Sequence, residues 1–126
     1  MRSARKAPKR ILCVEDHLDA CELITKVLGK YEVVSAHTID EAREIYSSQK
    51  FSLILLDYRL PDGDGLSFCE EIRRTDYLTP IVLVSADSEL TDIQVRIAGA
   101  QKLIGKHNPN FMVELCTLAD NLSVTL

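Results

Sequence analysis

A chain of 126 residues fits one domain of ordinary size, which can fold around a hydrophobic core without disulfides or metals. Hydrophobic residues make up 46% of the chain and charged residues 27%, as is typical of globular proteins, and no apolar run reaches the roughly 20 residues of a membrane span. The net charge is −4, but the first ten residues hold five basic residues and no acidic one, so residues 11–126 contain 10 basic and 19 acidic residues. This acidic body argues against nucleic-acid binding by the folded part of the chain.

The N-terminal segment MRSARKAPKR is basic, and it is not followed by an apolar stretch with a small-residue cleavage site. We therefore expect a disordered basic tail over residues 1–9, one folded domain over residues 10–126, and a cytoplasmic location. The four cysteines lack the spacing of a metal site, which favours small buried side chains in a reducing compartment.

Strand-like and helix-like patterns alternate along the whole domain. The patterns predict five strands, at residues 11–14, 31–36, 51–57, 79–86 and 102–105, and five helices, at residues 18–28, 38 to about 49, 65–74, 88–98 and 110–122. Gly29 is a candidate C-cap of the first helix. Thr38 and Glu41 fit a capping box at the start of the second. Five βα units in this length predict a doubly wound α/β fold, with a five-stranded parallel sheet covered by helices on both faces.

Polar side chains stand at the carboxyl ends of four predicted strands. The acidic pair Glu15-Asp16 follows the first strand, Asp57 ends the third, Ser85 lies in the fourth near its end, and Lys106 follows the fifth. Because the carboxyl ends of parallel strands meet at one edge of the sheet, we expect these side chains to lie close together.

The segment LILLDYRLPDGDG, residues 53–65, ends a buried strand in the carboxylate of Asp57 and continues into a glycine-rich turn. Carboxylates gathered at one edge repel each other, and Mg²⁺, which prefers oxygen ligands, relieves that repulsion. A carboxylate can also act as a nucleophile and become an aspartyl phosphate when a metal and a cationic side chain neutralise the transferring group. Lys106 supplies such a cation and Ser85 a hydroxyl group, so Asp57 is a candidate phosphate acceptor.

The motifs together resemble the receiver domain of two-component response regulators over residues 9–122. The resemblance rests on the acidic pair Glu15-Asp16, the segment 57–65, the pair Ser85-Ala86, the pair Gly99-Ala100 and Lys106. It implies a flavodoxin-like (βα)5 fold with strand order 2-1-3-4-5, in which residues 10–126 form the receiver domain.

The resemblance also implies a phosphorelay function for this domain. Asp57 would accept a phosphoryl group from a sensor histidine kinase or a histidine phosphotransfer protein, and Ser85 and Lys106 would contact that group. The implied Mg²⁺ ligands are Glu15, Asp16, Asp57 and the backbone carbonyl of Arg59. The implied downstream partner is a protein target or an output domain, without direct contact to nucleic acid or membrane, and the domain would turn over no external substrate.

The sequence departs from the family near its fifth strand. Proline usually follows the lysine directly, whereas here His107 and Asn108 separate Lys106 from Pro109, and Leu103 occupies a switch position that is usually aromatic. These departures leave the phosphorylation motifs in place but motivate a second hypothesis, a pseudo-receiver that binds proteins without being phosphorylated.

A small phosphatase or nucleotide-binding protein is a third, poorly supported interpretation. The chain has no GxxxxGK[ST] loop, and Arg59 stands where such a phosphatase would have a second aspartate. Ordinary surface roles are expected for the three histidines. The kinase, the output and homodimerisation on phosphorylation stay open, and both a stand-alone regulator and a part of a longer one fit the sequence.

Overall fold

The computed structural model describes residues 8–123, which form seven strands and five helices. In chain order these are β1 (Arg10–Val14), α1 (Leu18–Val27), β2 (Glu32–Ala36), α2 (Ile39–Ser48), β3 (Leu53–Asp57), β4 (Arg59–Leu60), β5 (Gly63–Asp64), α3 (Gly65–Arg73), β6 (Ile81–Ser85), α4 (Asp92–Ala98), β7 (Lys102–Gly105) and α5 (Phe111–Leu122).

Five of the strands form a parallel sheet in the order β2-β1-β3-β6-β7. Because β4 and β5 pair only with each other, this is the predicted order 2-1-3-4-5, and the flavodoxin-like fold is confirmed. The short β4–β5 ladder replaces part of what the sequence indicated as a plain turn.

Alternate residues of the buried strands pack on opposite faces of the sheet, as the two-residue period of a strand requires. One core contains Leu12, Ile54 and Leu83 with residues of α2, α3 and α4. The other contains Ile11 and Leu55 with residues of α1 and α5. The central strands are therefore apolar on both sides, which explains their uninterrupted runs of Leu, Ile and Val.

Helix α4 begins later than the sequence patterns indicated, at Asp92 instead of residue 88. The side chain of Thr91 accepts a hydrogen bond from the N–H of Gln94, and the side chain of Gln94 accepts one from the N–H of Thr91. This reciprocal capping box fixes the helix start and leaves 86–91 as a loop beside the carboxyl end of β6.

The predicted capping box of α2 is only half present. Thr38 accepts the N–H of Glu41, but the Glu41 carboxylate bonds the N–H of His37 rather than that of Thr38. Asp62 provides a second cap, since its two carboxylate oxygens accept the N–H groups of residues 39 and 40. The loop after β3 is thereby attached to α2. Gly29 follows the C-cap of α1, which is residue 28.

Residues 1–7 of the predicted basic tail lie outside the described residues. Lys9 is described, and its carbonyl accepts a hydrogen bond from the N–H of Glu32 on β2. None of the helices within residues 8–123 is long and apolar enough to cross a membrane.

Candidate functional site

The carboxyl ends of β3 and β6 open into a surface cavity of about 490 Å³. The residues that line it are Asp16, His17, Asp57, Arg59, Leu60, Pro61, Ser85, Ala86, Asp87 and Lys106. The fold thus brings together the predicted site residues from four different strand ends, and Glu15 contacts the group through Lys106.

Lys106 joins two buried carboxylates at the base of this cavity. Its Nζ lies 2.8 Å from a carboxylate oxygen of Glu15 and 3.0 Å from one of Asp57. Glu15 and Asp57 are 3% and 6% exposed, so both charges are largely removed from water. The side chain of Lys106 is 25% exposed and reaches them from the loop after β7.

The pKa of Asp57 is raised from 3.8 to about 6. Burial is the main cause, because it disfavours the charged carboxylate, and the nearby charge of Glu15 adds to it, while the hydrogen bond from Lys106 acts in the opposite direction. The carboxylate is still ionised above about pH 6, which leaves it available as a nucleophile at neutral pH.

The pKa values of Glu15 and Lys106 shift in opposite directions within this cluster of charged groups. Burial would raise the pKa of Glu15, but hydrogen bonds from Lys106 and from the N–H of His17 outweigh it, so that pKa is lowered. Burial would lower the pKa of Lys106, but its two carboxylate partners raise it. Lys106 is therefore a firmly charged cation between two anions.

The glycine-rich loop brings backbone close to Asp57. A Cβ atom on Gly65 would lie 2.3 Å from the backbone oxygen of Asp57, and the N–H of Gly65 donates to the carbonyl of Tyr58 at 2.6 Å. Only glycine fits this close approach, and the hydrogen bond to Tyr58 holds the start of α3 against the end of β3.

The acidic pair after β1 provides candidate metal ligands. Ligand atoms of Glu15, Asp16 and His17 lie within 4.8 Å of one another, and Asp16 lines the same cavity as Asp57. The available donors are mainly carboxylate oxygens, the ligands that Mg²⁺ prefers, and a cation here would offset the repulsion between Asp57 and Glu15. This donor set therefore fits a magnesium ion.

The hydroxyl of Ser85 is buried at the end of β6, where its Oγ accepts the N–H of Asp87 at 2.8 Å. The carboxylate of Asp87 in turn lies 2.6 Å from the guanidinium of Arg59. The sequence motifs indicate a role only for the backbone carbonyl of Arg59 and none for Asp87. The position of Asp87, two residues after Ser85 in a strand-end loop, was the available signal.

Leu103 lies partly buried in β7, packed against the core that faces α2, α3 and α4. Beyond Lys106, the N–H of Asn108 donates to the carbonyl of Gly105, and the Asn108 side chain donates to Glu114. A tight turn is thus formed here without a proline directly after the lysine.

A family model described as the response regulator receiver domain matches residues 11–116 of the chain. The chain belongs to this receiver family. Receiver domains are signalling domains of response regulators rather than enzymes that act on external substrates, and this membership confirms the family that the sequence motifs indicated.

Individual relatives agree with this membership. The response regulator protein PilR of Pseudomonas aeruginosa is 38% identical over 101 residues, which cover 78% of this chain and 23% of PilR. The transcriptional regulatory protein BasR of Escherichia coli is 37% identical over 93 residues, which cover 71% of this chain and 40% of BasR. The chain thus spans well under two thirds of the length of these curated relatives.

Two solved receiver domains share the fold over nearly their whole length. The activated N-terminal receiver domain of Klebsiella pneumoniae RstA, with BeF₃, has a TM-score of 0.79 and 35% identity over 90% of this chain and 97% of that one. The response regulator TrrA of Thermotoga maritima, in complex with Mg²⁺ and BeF, has a TM-score of 0.81 and 29% identity over 90% and 98%.

Proposed function

We propose that this receiver domain accepts a phosphoryl group on Asp57 from a sensor histidine kinase or a histidine phosphotransfer protein. The observation that carries the proposal is the position of Asp57, which is buried at a strand end, opens into the cavity and lies 3.0 Å from the ammonium group of Lys106. An oxygen of Asp57 would attack phosphorus, the bond between phosphorus and the histidine nitrogen would break, and the freed imidazole would take up a proton.

Each neighbouring side chain has a separate task in this transfer. Lys106 would neutralise charge on the phosphoryl oxygens, and the hydroxyl of Ser85 would donate a hydrogen bond to one of them. Glu15, Asp16, Asp57 and the backbone carbonyl of Arg59 would hold Mg²⁺. When bound, that ion supplies neutralisation of the negative charge that gathers on the transferring group.

The phosphoryl group on Asp57 would then favour one of two conformations of a protein-interaction surface, the one that binds a downstream protein or output domain. Leu103 is the position through which the usual coupling would run, and its partial burial suits a leucine that takes the place of the aromatic side chain. Three features stay predictions from the sequence: the bounds 10–126 of the receiver domain, its cytoplasmic location and its homodimerisation on phosphorylation.

A pseudo-receiver is the second candidate. Lys106 already bonds both Glu15 and Asp57, so both buried carboxylates have a cationic partner without any phosphoryl group, as they would in a structural ion cluster. Such a domain would bind its partner without any phosphoryl group.

Acetyl phosphate labelling separates the two candidates. The intact mass of the wild-type protein, Asp57→Asn and Asp62→Asn would be compared with and without Mg²⁺, since Asp62 is a nearby aspartate that caps α2 and does not line the cavity. We expect one Mg²⁺-dependent phosphoryl adduct on the wild type and on Asp62→Asn, and none on Asp57→Asn. If the wild type carries no adduct under conditions in which a known receiver domain is phosphorylated, the result would favour the pseudo-receiver.

A further inference from the structure

An ion pair lies among the residues that line the cavity. The guanidinium of Arg59, on β4, lies 2.6 Å from the carboxylate of Asp87, in the loop after β6. Both side chains line the same cavity as Asp57, and the guanidinium stands 5.1 Å from the centre of the Tyr58 ring. The pair therefore connects the two segments that flank the proposed phosphoryl acceptor.

Asp87 is itself fixed by the loop. Its N–H donates to the Oγ of Ser85 at 2.8 Å, and its second carboxylate oxygen accepts the N–H of Glu89 at 2.8 Å. The carboxylate is thus well held and only 20% exposed, whereas the side chain of Arg59 is 74% exposed. Arg59 is therefore the more exposed member of the pair, and its guanidinium contacts only Asp87 and the Tyr58 ring among the described hydrogen bonds, ion pairs and cation–π contacts.

Besides the proposed Mg²⁺, the cavity offers two cationic side chains to a phosphoryl group. Arg59 and Lys106 are the two firmly cationic side chains among the described residues that line the cavity. Lys106 is already shared by Glu15 and Asp57, while phosphorylation replaces the single negative charge of the Asp57 carboxylate by a charge of about −1.5 to −2 near neutral pH. A guanidinium binds phosphate oxygens in a two-pronged geometry, and because the side chain of Arg59 is largely exposed to water, its ion pair with Asp87 is weak.

We propose that Arg59 is a phosphoryl-binding residue that Asp87 holds in reserve until Asp57 carries its phosphoryl group. The inference rests on the proposed function and extends it, because that function uses only the backbone carbonyl of Arg59. It also gives the site an additional response to phosphorylation: when the guanidinium moves to the phosphoryl oxygens, Asp87 loses its partner and the loop before α4 loses its tie to β4.

The test is a titration with beryllofluoride in the presence of Mg²⁺, followed by backbone amide NMR. Beryllofluoride adds reversibly to a carboxylate and mimics a phosphoryl group, so it reports an equilibrium affinity without hydrolysis. The variants are Arg59→Gln, which keeps the backbone carbonyl, Asp87→Asn and the double variant. Arg43→Gln is the matched control, since Arg43 is also an exposed arginine held by carboxylates but does not line the cavity.

We expect Arg59→Gln to weaken beryllofluoride binding about threefold, in keeping with the strength of an exposed ion pair, and Asp87→Asn to strengthen it by a similar factor. The double variant should behave like Arg59→Gln, and Arg43→Gln like the wild type. Opposite signs exclude a pair that merely ties two loops together, because loss of such a tie would change the affinity of both single variants in the same direction. The double variant then separates release of the guanidinium from the simple loss of one negative charge.

Three results would overturn the inference. The first is a shift of the same sign in both single variants. The second is a gain from Asp87→Asn that is equally large when Arg59 is already glutamine, which would reflect removal of a negative charge and not release of the guanidinium. The third is an unchanged affinity in Arg59→Gln. A wild-type protein that neither binds beryllofluoride nor labels with acetyl phosphate would overturn the proposed function as well, whereas the other results leave that function intact.

Discussion

Replacing Asp57 by asparagine should stabilise the folded domain at high pH, although the substitution removes the proposed acceptor. Burial beside Glu15 raises the pKa of Asp57 to about 6, compared with 3.8 for the free side chain. Between these values the folded state binds more protons than the unfolded state, so the stability of the wild type falls as the pH rises. Asparagine has a similar shape and no charge, and it avoids this penalty.

The size of the effect follows from the two pKa values. A pKa shift of one unit corresponds to about 1.4 kcal/mol. The shift from 3.8 to about 6 therefore lowers the free energy of unfolding of the wild type, relative to Asp57→Asn, by at most about 3 kcal/mol at pH 8. By the same linkage the advantage of Asp57→Asn should shrink to about 1 kcal/mol at pH 4.5, because the folded wild type is then protonated. Urea unfolding of both proteins at the two pH values measures the difference directly.

Asp62→Asn is the matched control, because it makes the same chemical change five residues further along the chain with the opposite expected sign. The pKa of Asp62 is lowered by its hydrogen bonds to the start of α2, so its charge stabilises the fold at neutral pH. The free energy of unfolding of Asp62→Asn should be about 0.5–1 kcal/mol lower than that of the wild type at pH 8. An Asp57→Asn protein that is no more stable than the wild type at pH 8, or whose advantage grows at low pH, would refute the reasoning.

The remaining predictions concern the cation, the loop and the helix start. Lys106→Met leaves two buried carboxylates without their shared cation, so unfolding in urea should show a loss of about 3 kcal/mol at pH 8 that becomes smaller in acid. Gly65→Ala should lower the free energy of unfolding by about 1–3 kcal/mol, because the new Cβ atom meets the backbone oxygen of Asp57. Gly105→Ala is the control: its Cβ atom would meet nothing within 4 Å, so the melting temperature should change little. Thr91→Ala removes the cap of α4 and should cost about 1 kcal/mol, with faster amide exchange confined to that helix; equal exchange in all helices would contradict a local role.

Much of the fold was accessible from the sequence because the signals were periodic and local. The apolar runs of the strands could be recognised since both faces of a central parallel strand are buried. The carboxyl ends of parallel strands lie at the same edge of a sheet, so the predicted strands also predict that Glu15, Asp57, Ser85 and Lys106 lie close together. In the structure they do.

The features that the sequence did not disclose depend on contacts between distant or very short segments. Strands β4 and β5 have two residues each, too few for any periodic pattern. Asp62 caps a helix that starts 23 residues earlier in the chain, and the pairing of Arg59 with Asp87 spans 28 residues. The helix α4 was placed too early because Ser88 is itself a plausible cap, and only the reciprocal bonds of Thr91 decide between the two starts.

The most direct measurement is the chemical mapping of the phosphoryl group. The protein would be treated with acetyl phosphate and Mg²⁺, reduced with borohydride, which converts an acyl phosphate of aspartate to homoserine, and digested for peptide mass analysis. We predict homoserine at position 57, dependent on Mg²⁺ and on acetyl phosphate. Homoserine at another aspartate, or an unmodified position 57 in a protein that carries a phosphoryl adduct, would contradict the assignment of Asp57 as the acceptor.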